Sequence, residues 1–341
     1  MSNGVTNSHI NLPEENFYKT NADLRRFSKL TCFSTLFLIF VGGLVTSTGS
    51  GLSVPDWPLS YGTLFPPMVG GVRYEHTHRI VAGTVGFFML VLAIWLAKVE
   101  KRCWVKNLGF IALGTVIMQG VLGGITVLFF LPKPISILHA VLAQTFFVLT
   151  IIIAYSQSIE RNERTTQQHI PHSSFLSKTC LALTILVYLQ LILGAVMRHT
   201  GSGLAIPDFP TTGGQLIPRF NDEMLKVIND WRFNLNLDPV TLNQVLIHSA
   251  HRMGALVIVI AVSFLTLKAF PLKYNDKRIL QSVFILDALV VIQIALGIIT
   301  VLSRKAVYIT TLHVLTGTAV LGMSILLTLR AYPLTLKEIR P

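Results

Sequence analysis

The sequence predicts an all-α integral membrane protein in which eight transmembrane helices form two four-helix bundles. Hydrophobic residues make up 52% of the 341 residues and charged residues only 13%, whereas soluble domains carry about 25% charged residues. The mean hydropathy is +0.61. Eight apolar runs are long enough to cross a bilayer, which takes about 20 helical residues each. A self-similar pattern divides these runs into two sets of four.

The predicted spans define the domain organisation. Several contain Gly, Ser, Thr or Gln, which allow close helix approach inside a membrane bundle. We expect an N-terminal segment 1–27, a first half 28–156, a linker 157–176, a second half 177–329 and a tail 330–341. The spans are 29–48, 78–98, 107–130, 135–156, 177–198, 247–268, 279–302 and 306–328.

The net charge of +12 indicates topology. Most of the Lys and Arg residues lie in the N-terminal segment, in the loops near 98–106, 157–178 and 268–278, and in the tail. Cytoplasmic loops carry such an excess. We therefore expect both termini in the cytoplasm and the loops 49–77 and 199–246 on the outer side, and we expect no nucleic-acid partner.

The N-terminal segment and the cysteines bear on the compartment. Residues 1–27 lack the apolar core of a signal peptide and the composition of a transit peptide, which favours a bacterial inner membrane. Cys32, Cys103 and Cys180 are isolated, and none lies in an outer loop. No disulfide framework is predicted.

An internal repeat links the two halves. "TGSGLSVPDWP" from Thr48 matches "TGSGLAIPDFP" from Thr200, and "QGVLGGITVL" from Gln119 matches "QIALGIITVL" from Gln293. The second outer loop carries an insertion at roughly 219–243. Because four helices are an even number, both halves enter the membrane the same way, which predicts parallel repeats about an axis along the membrane normal.

Every even-numbered span carries a histidine near its outer end, and the odd-numbered spans carry a second motif. Histidine inside a membrane is costly and by default marks a functional site. The four histidines are His78, His139, His251 and His313. Gln-x-x-x-Gly occurs at Gln119/Gly123, Gln190/Gly194 and Gln293/Gly297, with Leu38/Gly42 as an imperfect fourth copy.

Two histidines at matched depth in each bundle favour haem over other metal groups. A zinc site would need further ligands, usually Cys or carboxylate, whereas a haem needs one axial group on each side of a flat macrocycle. Helices of a four-helix bundle can supply both. The residues favour two haem-sized sites, His78/His139 and His251/His313, with a proton or ion path and simple packing as the alternatives.

The two halves differ three residues before the first histidine, where Glu75 aligns with His248. Positions i and i+3 share a helix face, so we expect Glu75 over the same haem edge as His78. This asymmetry is expected if one haem is chemically modified and the other transfers electrons. The alternative is a helix N-terminal acid favoured by the dipole.

Other polar residues have weaker signals. Arg79 and Arg252 could pair with haem propionates or anchor helix ends, and Asp56 and Asp208 are expected to cap turns. Asp287, mid-span in the seventh helix, fits either a hydrogen bond to a neighbouring helix or a proton path. The remaining histidines are interpreted as bystanders: His9, His76, His169, His172, His199 and His248.

Taken together, these motifs resemble the haem A synthase family, from about Phe27 to Leu329. The resemblance is carried by Glu75-x-x-His78-Arg79, His139 in "LHAVLAQ", His251-Arg252, His313 in "LHVLTG" and the duplicated outer loops. Some members have a cysteine pair in the first outer loop. Residues 49–75 have none, so the chain is similar to the cysteine-free branch, which includes mitochondrial and many proteobacterial members.

The resemblance implies an oxidoreductase that converts the C8 methyl of haem O to the formyl of haem A through a hydroxymethyl intermediate. It implies a resident haem b, with its iron on His251 and His313, and the substrate haem O on His78 and His139, with Glu75 assisting. Partners implied are the enzyme that makes haem O, protohaem farnesyltransferase, oxidase assembly factors and membrane lipid. A homo-oligomer is left open.

A competing class is a di-haem b-type electron-transfer membrane cytochrome, which the four histidines fit equally well. However, all four lie near one face of the membrane, which is poor for electron transfer across it. A transporter with internal repeats would show midplane polar groups and broken helices. The sequence shows little of either apart from Asp287 and the glutamines.

Overall fold

The computed structural model describes residues 22–166, 174–270 and 276–332, and every long element in these ranges is an α-helix. A 3-10 turn, Ser202–Leu204, follows the sixth helix. The α-helices are α1 Ala22–Ser47, α2 Val72–Val99, α3 Cys103–Leu128, α4 Lys133–Ser156, α5 Ile159–Thr166, α6 Ser174–His199, α7 Asp222–Asn234, α8 Leu242–Ala269, α9 Lys277–Leu302 and α10 Val307–Ala331.

All of these helices except α5 and α7 are long and apolar enough to cross a membrane, which gives eight spans. The predicted all-α membrane fold is therefore confirmed. Two helices begin earlier than their apolar runs, α2 at Val72 and α8 at Leu242. Their first turns contain polar residues that lower the local hydropathy, and α8 is stabilised there by a capping box between Thr241 and Gln244.

Each half is a ring of four helices with its own apolar core. In the first half α1 packs on α2 and α4, and α3 packs on the same two helices. In the second half α6 packs on α8 and α10, and α9 packs on the same two. In this arrangement α2 lies diagonally opposite α4, and α8 lies diagonally opposite α10. The histidine-bearing helices are thus the diagonal pairs.

The two rings meet through α10, which packs on α1 and α4, and through α4, which also packs on α6. Gln144 Nε2 donates to Thr318 Oγ1 across this junction at 3.1 Å. The hydroxyls of Thr145 and Tyr188 lie 2.6 Å apart beside it. Gln144 and Thr318 follow His139 and His313 by the same five positions, so the junction joins equivalent points of the two halves.

The first loop, between α1 and α2, and the second loop, between α6 and α8, have matching backbone geometry. Gly49 and Gly201 end the preceding helices with φ of +68° and +73°, a conformation that glycine adopts without steric cost. The peptide bonds before Pro58 and Pro210 are both cis. Both loops lie at the same end of the molecule, called here the loop end.

The insertion in the second loop forms α7. Asn221 caps its N-terminus by accepting from the Met224 N–H at 3.0 Å. Met224 and Ile228 pack in a small apolar cluster with Ile206 and neighbouring residues of the second loop and α8. Arg232 donates to the main-chain oxygens of Asp238 and Leu204. The insertion therefore folds onto the second loop as a unit.

The opposite end is held by ion pairs. Arg330 on α10 pairs with Glu160 on α5 at 2.7 Å, so the predicted linker 157–176 contains a helix fastened to the second half. Glu100, after α2, is buried, which raises its pKa, but hydrogen bonds from Arg102 and Gln157 outweigh burial and lower the pKa to about 2. The predicted domain boundaries stay a prediction.

Candidate functional site

The four histidines lie roughly two turns inside their helices at the loop end, counted at 3.6 residues per turn. His78 and His139 lie on diagonally opposed helices of the first ring, each near the loop end of its helix. His251 and His313 have the same relation in the second ring. The structure therefore brings together the two pairs that the sequence predicted.

Each of these rings lies against a glycine of the preceding membrane-spanning helix. A Cβ added to the glycine would lie within 3.5 Å of the imidazole Cε1 in every case. At Gly42, Gly194 and Gly297 the distance is 3.2 Å or less, so a larger residue there would press on the ring. The glycines are those of the four motifs: Gly42 at 3.0 Å from His78, Gly123 at 3.5 Å from His139, Gly194 at 3.2 Å from His251 and Gly297 at 3.1 Å from His313.

The glutamines of these motifs contact the same histidines. Gln119 Nε2 donates to the His139 carbonyl at 3.0 Å. Gln190 Nε2 donates to the His251 carbonyl at 2.8 Å and lies 3.1 Å from its Nδ1. The Gln293 carbonyl lies 3.2 Å from His313 Nδ1. The fourth motif has Leu38 instead of glutamine, and the buried Nδ1 of His78 has no hydrogen-bond partner within the described ranges.

Arg79 binds the first loop. Its guanidinium donates to the carbonyls of Asp56 at 2.7 Å, Val54 at 3.2 Å and Leu59 at 2.5 Å. It also forms an ion pair of 2.6 Å with Glu75, in which both side chains are largely buried. Arg79 therefore fastens the loop to the start of α2.

Arg252 makes the same contacts with the second loop. It donates to the carbonyls of Ile206 at 3.2 Å, Asp208 at 2.7 Å and Thr211 at 3.0 Å, which are the repeat equivalents of the three acceptors of Arg79. The structure thus shows both guanidiniums on loop carbonyls. Their expected pairing with haem propionates stays a prediction.

Glu75 and His248 occupy equivalent positions and bind equivalent backbone groups. Glu75 Oε2 accepts from the Val54 N–H at 2.9 Å, and His248 Nδ1 accepts from the Ile206 N–H at 3.1 Å. Both side chains are buried. The two halves therefore satisfy the same loop amide, one with a carboxylate and the other with an imidazole.

Asp56 and Asp208 cap the turns, as the sequence predicted. Asp56 accepts from the N–H groups of Tyr61 at 2.7 Å and Gly62 at 2.8 Å. Asp208 accepts from Gly213 and Gly214, each at 3.1 Å. The backbone hydrogen bonds from Gly62 and Tyr61, with the charge of Arg79, lower the pKa of Asp56.

Trp57 closes the first loop over the bundle. An added Cβ at Gly124 would lie 2.8 Å from the indole ring, so the indole rests directly on the backbone of α3. Gly124 follows Gly123, which contacts His139. In the second loop Phe209 takes the place of Trp57, and the Arg252 guanidinium lies 5.8 Å from its ring centre.

Comparison with known proteins identifies the family of the chain. The model of the family COX15-CtaA, described as cytochrome oxidase assembly protein, matches residues 25–70 and 72–325. The chain belongs to the COX15-CtaA family. A relative named heme A synthase from Bacillus licheniformis is 30% identical over 83% of this chain and 88% of its own length. A second, from Exiguobacterium sibiricum, is 26% identical over 94% and 99%, respectively.

Arg198 is a residue of this COX15-CtaA family member that the sequence reasoning missed. It lies where α6 meets the first half, and its Nη2 donates to Ser47 Oγ at 2.9 Å and to the Gly43 carbonyl at 3.3 Å. Ser47 also accepts from Thr311, two residues before His313. The repeat alignment could have revealed it, because the equivalent residue in the first half is Thr46.

Several other polar residues of the family member have local partners. Asp287 accepts from Thr266 Oγ1 on the neighbouring helix at 2.9 Å, one of the two readings left open for it. His76 Nδ1 lies 2.8 Å from Ser60 Oγ. Cys32, Cys103 and Cys180 are free. His9, His169 and His172 lie outside the described residues.

Proposed function

We propose that the chain is a haem A synthase that oxidises the C8 methyl of haem O to a formyl group through a hydroxymethyl intermediate. The observation that carries the proposal is the presence of two diagonal histidine pairs, each ring backed by a glycine of the preceding membrane-spanning helix. Membership of the COX15-CtaA family and relatives named heme A synthase support it. Written as a half-reaction balanced with water, a methyl group and one water give a formyl group, four protons and four electrons, in two two-electron stages, and an electron acceptor must take the electrons.

The donor set fits haem. Within residues 22–166, 174–270 and 276–332 no group of three or more His, Cys, Asp or Glu side chains is placed to hold a metal ion. The two imidazoles of each ring would serve as the protein ligands of a haem iron, whose other ligands the macrocycle supplies. The buried, unpartnered Nδ1 atoms of His78 and His139 fit ligands that bind through the other nitrogen. When bound, haem supplies the redox chemistry.

The two pairs are given different roles. His251 and His313 hold the resident haem b, and His78 and His139 hold the substrate haem O. This division follows the family resemblance, and the hydrogen-bonded imidazoles of the second pair support it. Arg79 and Arg252 fix the loops above the two sites, since each bonds three loop carbonyls.

Glu75 is the residue that distinguishes the first site. Its Oε1 is paired with Arg79 and its Oε2 takes the Val54 N–H, so the carboxylate is fixed one helical turn before His78. We assign it to stabilise positive charge, or to accept a proton, as the substrate methyl is oxidised. Its counterpart His248 brings no negative charge. We therefore assign the chemistry to the first half.

The cellular setting is part of the proposal. The eight spans make the chain a multi-pass membrane protein. The Lys and Arg distribution supports cytoplasmic termini, and we assign a bacterial inner membrane. Because free haem O is hydrophobic and reactive, direct transfer from the farnesyltransferase that makes it, with oxidase assembly factors downstream, fits this reaction.

The test is the haem content of the expressed chain. The protein is produced in a bacterial membrane that contains haem O but has no haem A activity, and the extracted haems are separated by chromatography with mass detection. Haem A or its hydroxymethyl precursor is expected. Recovery of haem B and unaltered haem O alone, from a folded and loaded protein given an electron acceptor, would instead favour a di-haem electron-transfer cytochrome.

A further inference from the structure

The four histidines are not held equally. Gln119 Nε2 and Gln190 Nε2 donate to the main-chain carbonyls of His139 and His251. Gln293 Nε2 lies 3.4 Å from His313 Nε2. Leu38 occupies the corresponding position for His78. The Nδ1 atoms of His78 and His139 are both buried without a partner within the described ranges. His78 differs because the side chain of Leu38 cannot hydrogen-bond, whereas Gln119 donates to the His139 main chain.

The surroundings of His78 differ from those of His251 at two contacting positions rather than one. In the second half, an added Cβ at Gly254 would lie 2.1 Å from Gln190 Oε1, so the amide fills the space that this glycine leaves. The equivalents of Gln190 and Gly254 in the first half are Leu38 and Val81, which pack against the same buried apolar cluster. The polar pair and the apolar pair are thus two fillings of one space.

The consequence concerns the freedom of each imidazole. A ligating histidine almost always donates its second ring N–H to a fixed acceptor, which orients the ring and strengthens the metal bond. Oε1 of Gln119 and Oε1 of Gln293 are buried without partners in the described part of the chain, so each glutamine retains an acceptor for such an N–H. The side chain at position 38 offers none.

We propose that Gln119, Gln190 and Gln293 are positioning residues for their histidines, and that His78 is the ligand that detaches when haem enters or leaves the first half. A site that exchanges substrate for product needs one bond that breaks readily, whereas a resident haem needs two that do not. The inference rests on the proposed function for the identity of the haems, but not on any oxidation step.

The test exchanges the polar pair, Gln190 and Gly254, with the apolar pair, Leu38 and Val81. One variant, Leu38→Gln/Val81→Gly, installs the polar pair beside His78, and the reverse variant, Gln190→Leu/Gly254→Val, removes it beside His251. Each purified full-length protein is loaded with haem O and mixed with excess apomyoglobin, and the rates of haem loss are followed optically. Haem b and haem O are distinguished by mass detection of what remains. Low-spin electron paramagnetic resonance signals are recorded in parallel.

We expect the first variant to lose haem O about tenfold more slowly than the unmodified chain, and the reverse variant to lose haem b about tenfold faster, with a shifted low-spin signal. Leu38→Met/Val81→Gly is the matched control, because it fills the space without the amide. Gln293→Leu is expected to shift the haem b signal, and Gln293→Glu, which keeps an acceptor, is expected to restore it.

Equal haem O loss from the glutamine and methionine variants would overturn the role of His78. An unchanged haem b signal in both Gln293→Leu and the reverse variant would overturn the positioning role. If Leu38→Gln/Val81→Gly fails to fold, the rate of haem b loss from the reverse variant tests the proposal instead. Haem A formation is measured on the same preparations. Altered exchange without haem A would contradict only the proposed function, whereas haem A with unaltered exchange would contradict only this inference.

Discussion

The loops of the two halves are built on the same contacts, yet they differ at one buried acceptor. Arg79 and Arg252 bind equivalent carbonyls, and Asp56 and Asp208 cap equivalent turns. At the shared amide the first loop has Glu75, whereas the second has a histidine. Because the second loop is held without a carboxylate, loop anchoring alone does not require Glu75. We therefore propose a chemical role for its charge.

The largest expected effect comes from exchanging these two acceptors. Glu75→His should keep the bond to the Val54 N–H, as in the second loop, but remove the negative charge beside His78. We expect haem O binding to persist and haem A formation to fall by about 100-fold, the scale of a lost acid–base or charge-stabilising group. His248→Glu is the control, and its haem A formation should stay near normal. Normal synthesis by Glu75→His would remove Glu75 from the reaction.

The second comparison concerns the arginines. Arg79→Met leaves Glu75 buried without its partner in addition to freeing three carbonyls, whereas Arg252→Met frees carbonyls only. Removing one partner of a buried ion pair costs about 3–5 kcal/mol, and an unmade neutral hydrogen bond costs about 1–3 kcal/mol. Thermal unfolding should therefore show the larger loss of stability for Arg79→Met. Equal losses would mean that the ion pair adds nothing to the first loop.

A smaller effect is expected where Trp57 rests on α3. Gly124→Ala places a methyl 2.8 Å from the indole, so Trp57 should move and its fluorescence should shift. Gly120→Ala is the matched control, since an added Cβ there meets nothing within 4 Å. Trp57→Phe, which copies the second loop, should restore the stability of the Gly124→Ala protein. If Trp57→Phe does not restore stability, the clash with the indole is not the reason that Gly124→Ala is destabilising.

The smallest effect is the pH dependence of the first loop. The folded-state pKa of Asp56 is lowered from 3.8, so its contribution to stability is fully present above 3.8 and is lost as the pH falls through the lower folded value. Asp56→Asn should therefore lower the melting temperature at pH 7, and the difference from the unmodified chain should shrink in acid. A difference that is independent of pH would show that the charge of Asp56 is not involved.

The sequence predicts the helical spans from the length of the apolar runs. It also singles out the four histidines and the Gln-x-x-x-Gly motif, because both recur at regular positions along the chain. It does not predict that the motif glycines contact the histidine rings, or that Arg79 binds the first loop. These contacts join residues far apart in the chain. The contacts of Arg198 with Ser47 and Gly43 are of the same kind. The repeat alignment shows only that Arg198 stands where the first half has Thr46.

We propose that the first half binds the substrate and the second half holds the resident haem. The most direct test is the haem composition of two purified variants, His78→Ala and His251→Ala, produced in membranes that contain haem O and haem B. We expect His78→Ala to retain haem B with its low-spin spectrum while losing haem O and haem A, and His251→Ala to lose the haem B signal. Retention of haem B by His251→Ala and its loss from His78→Ala would contradict the assignment.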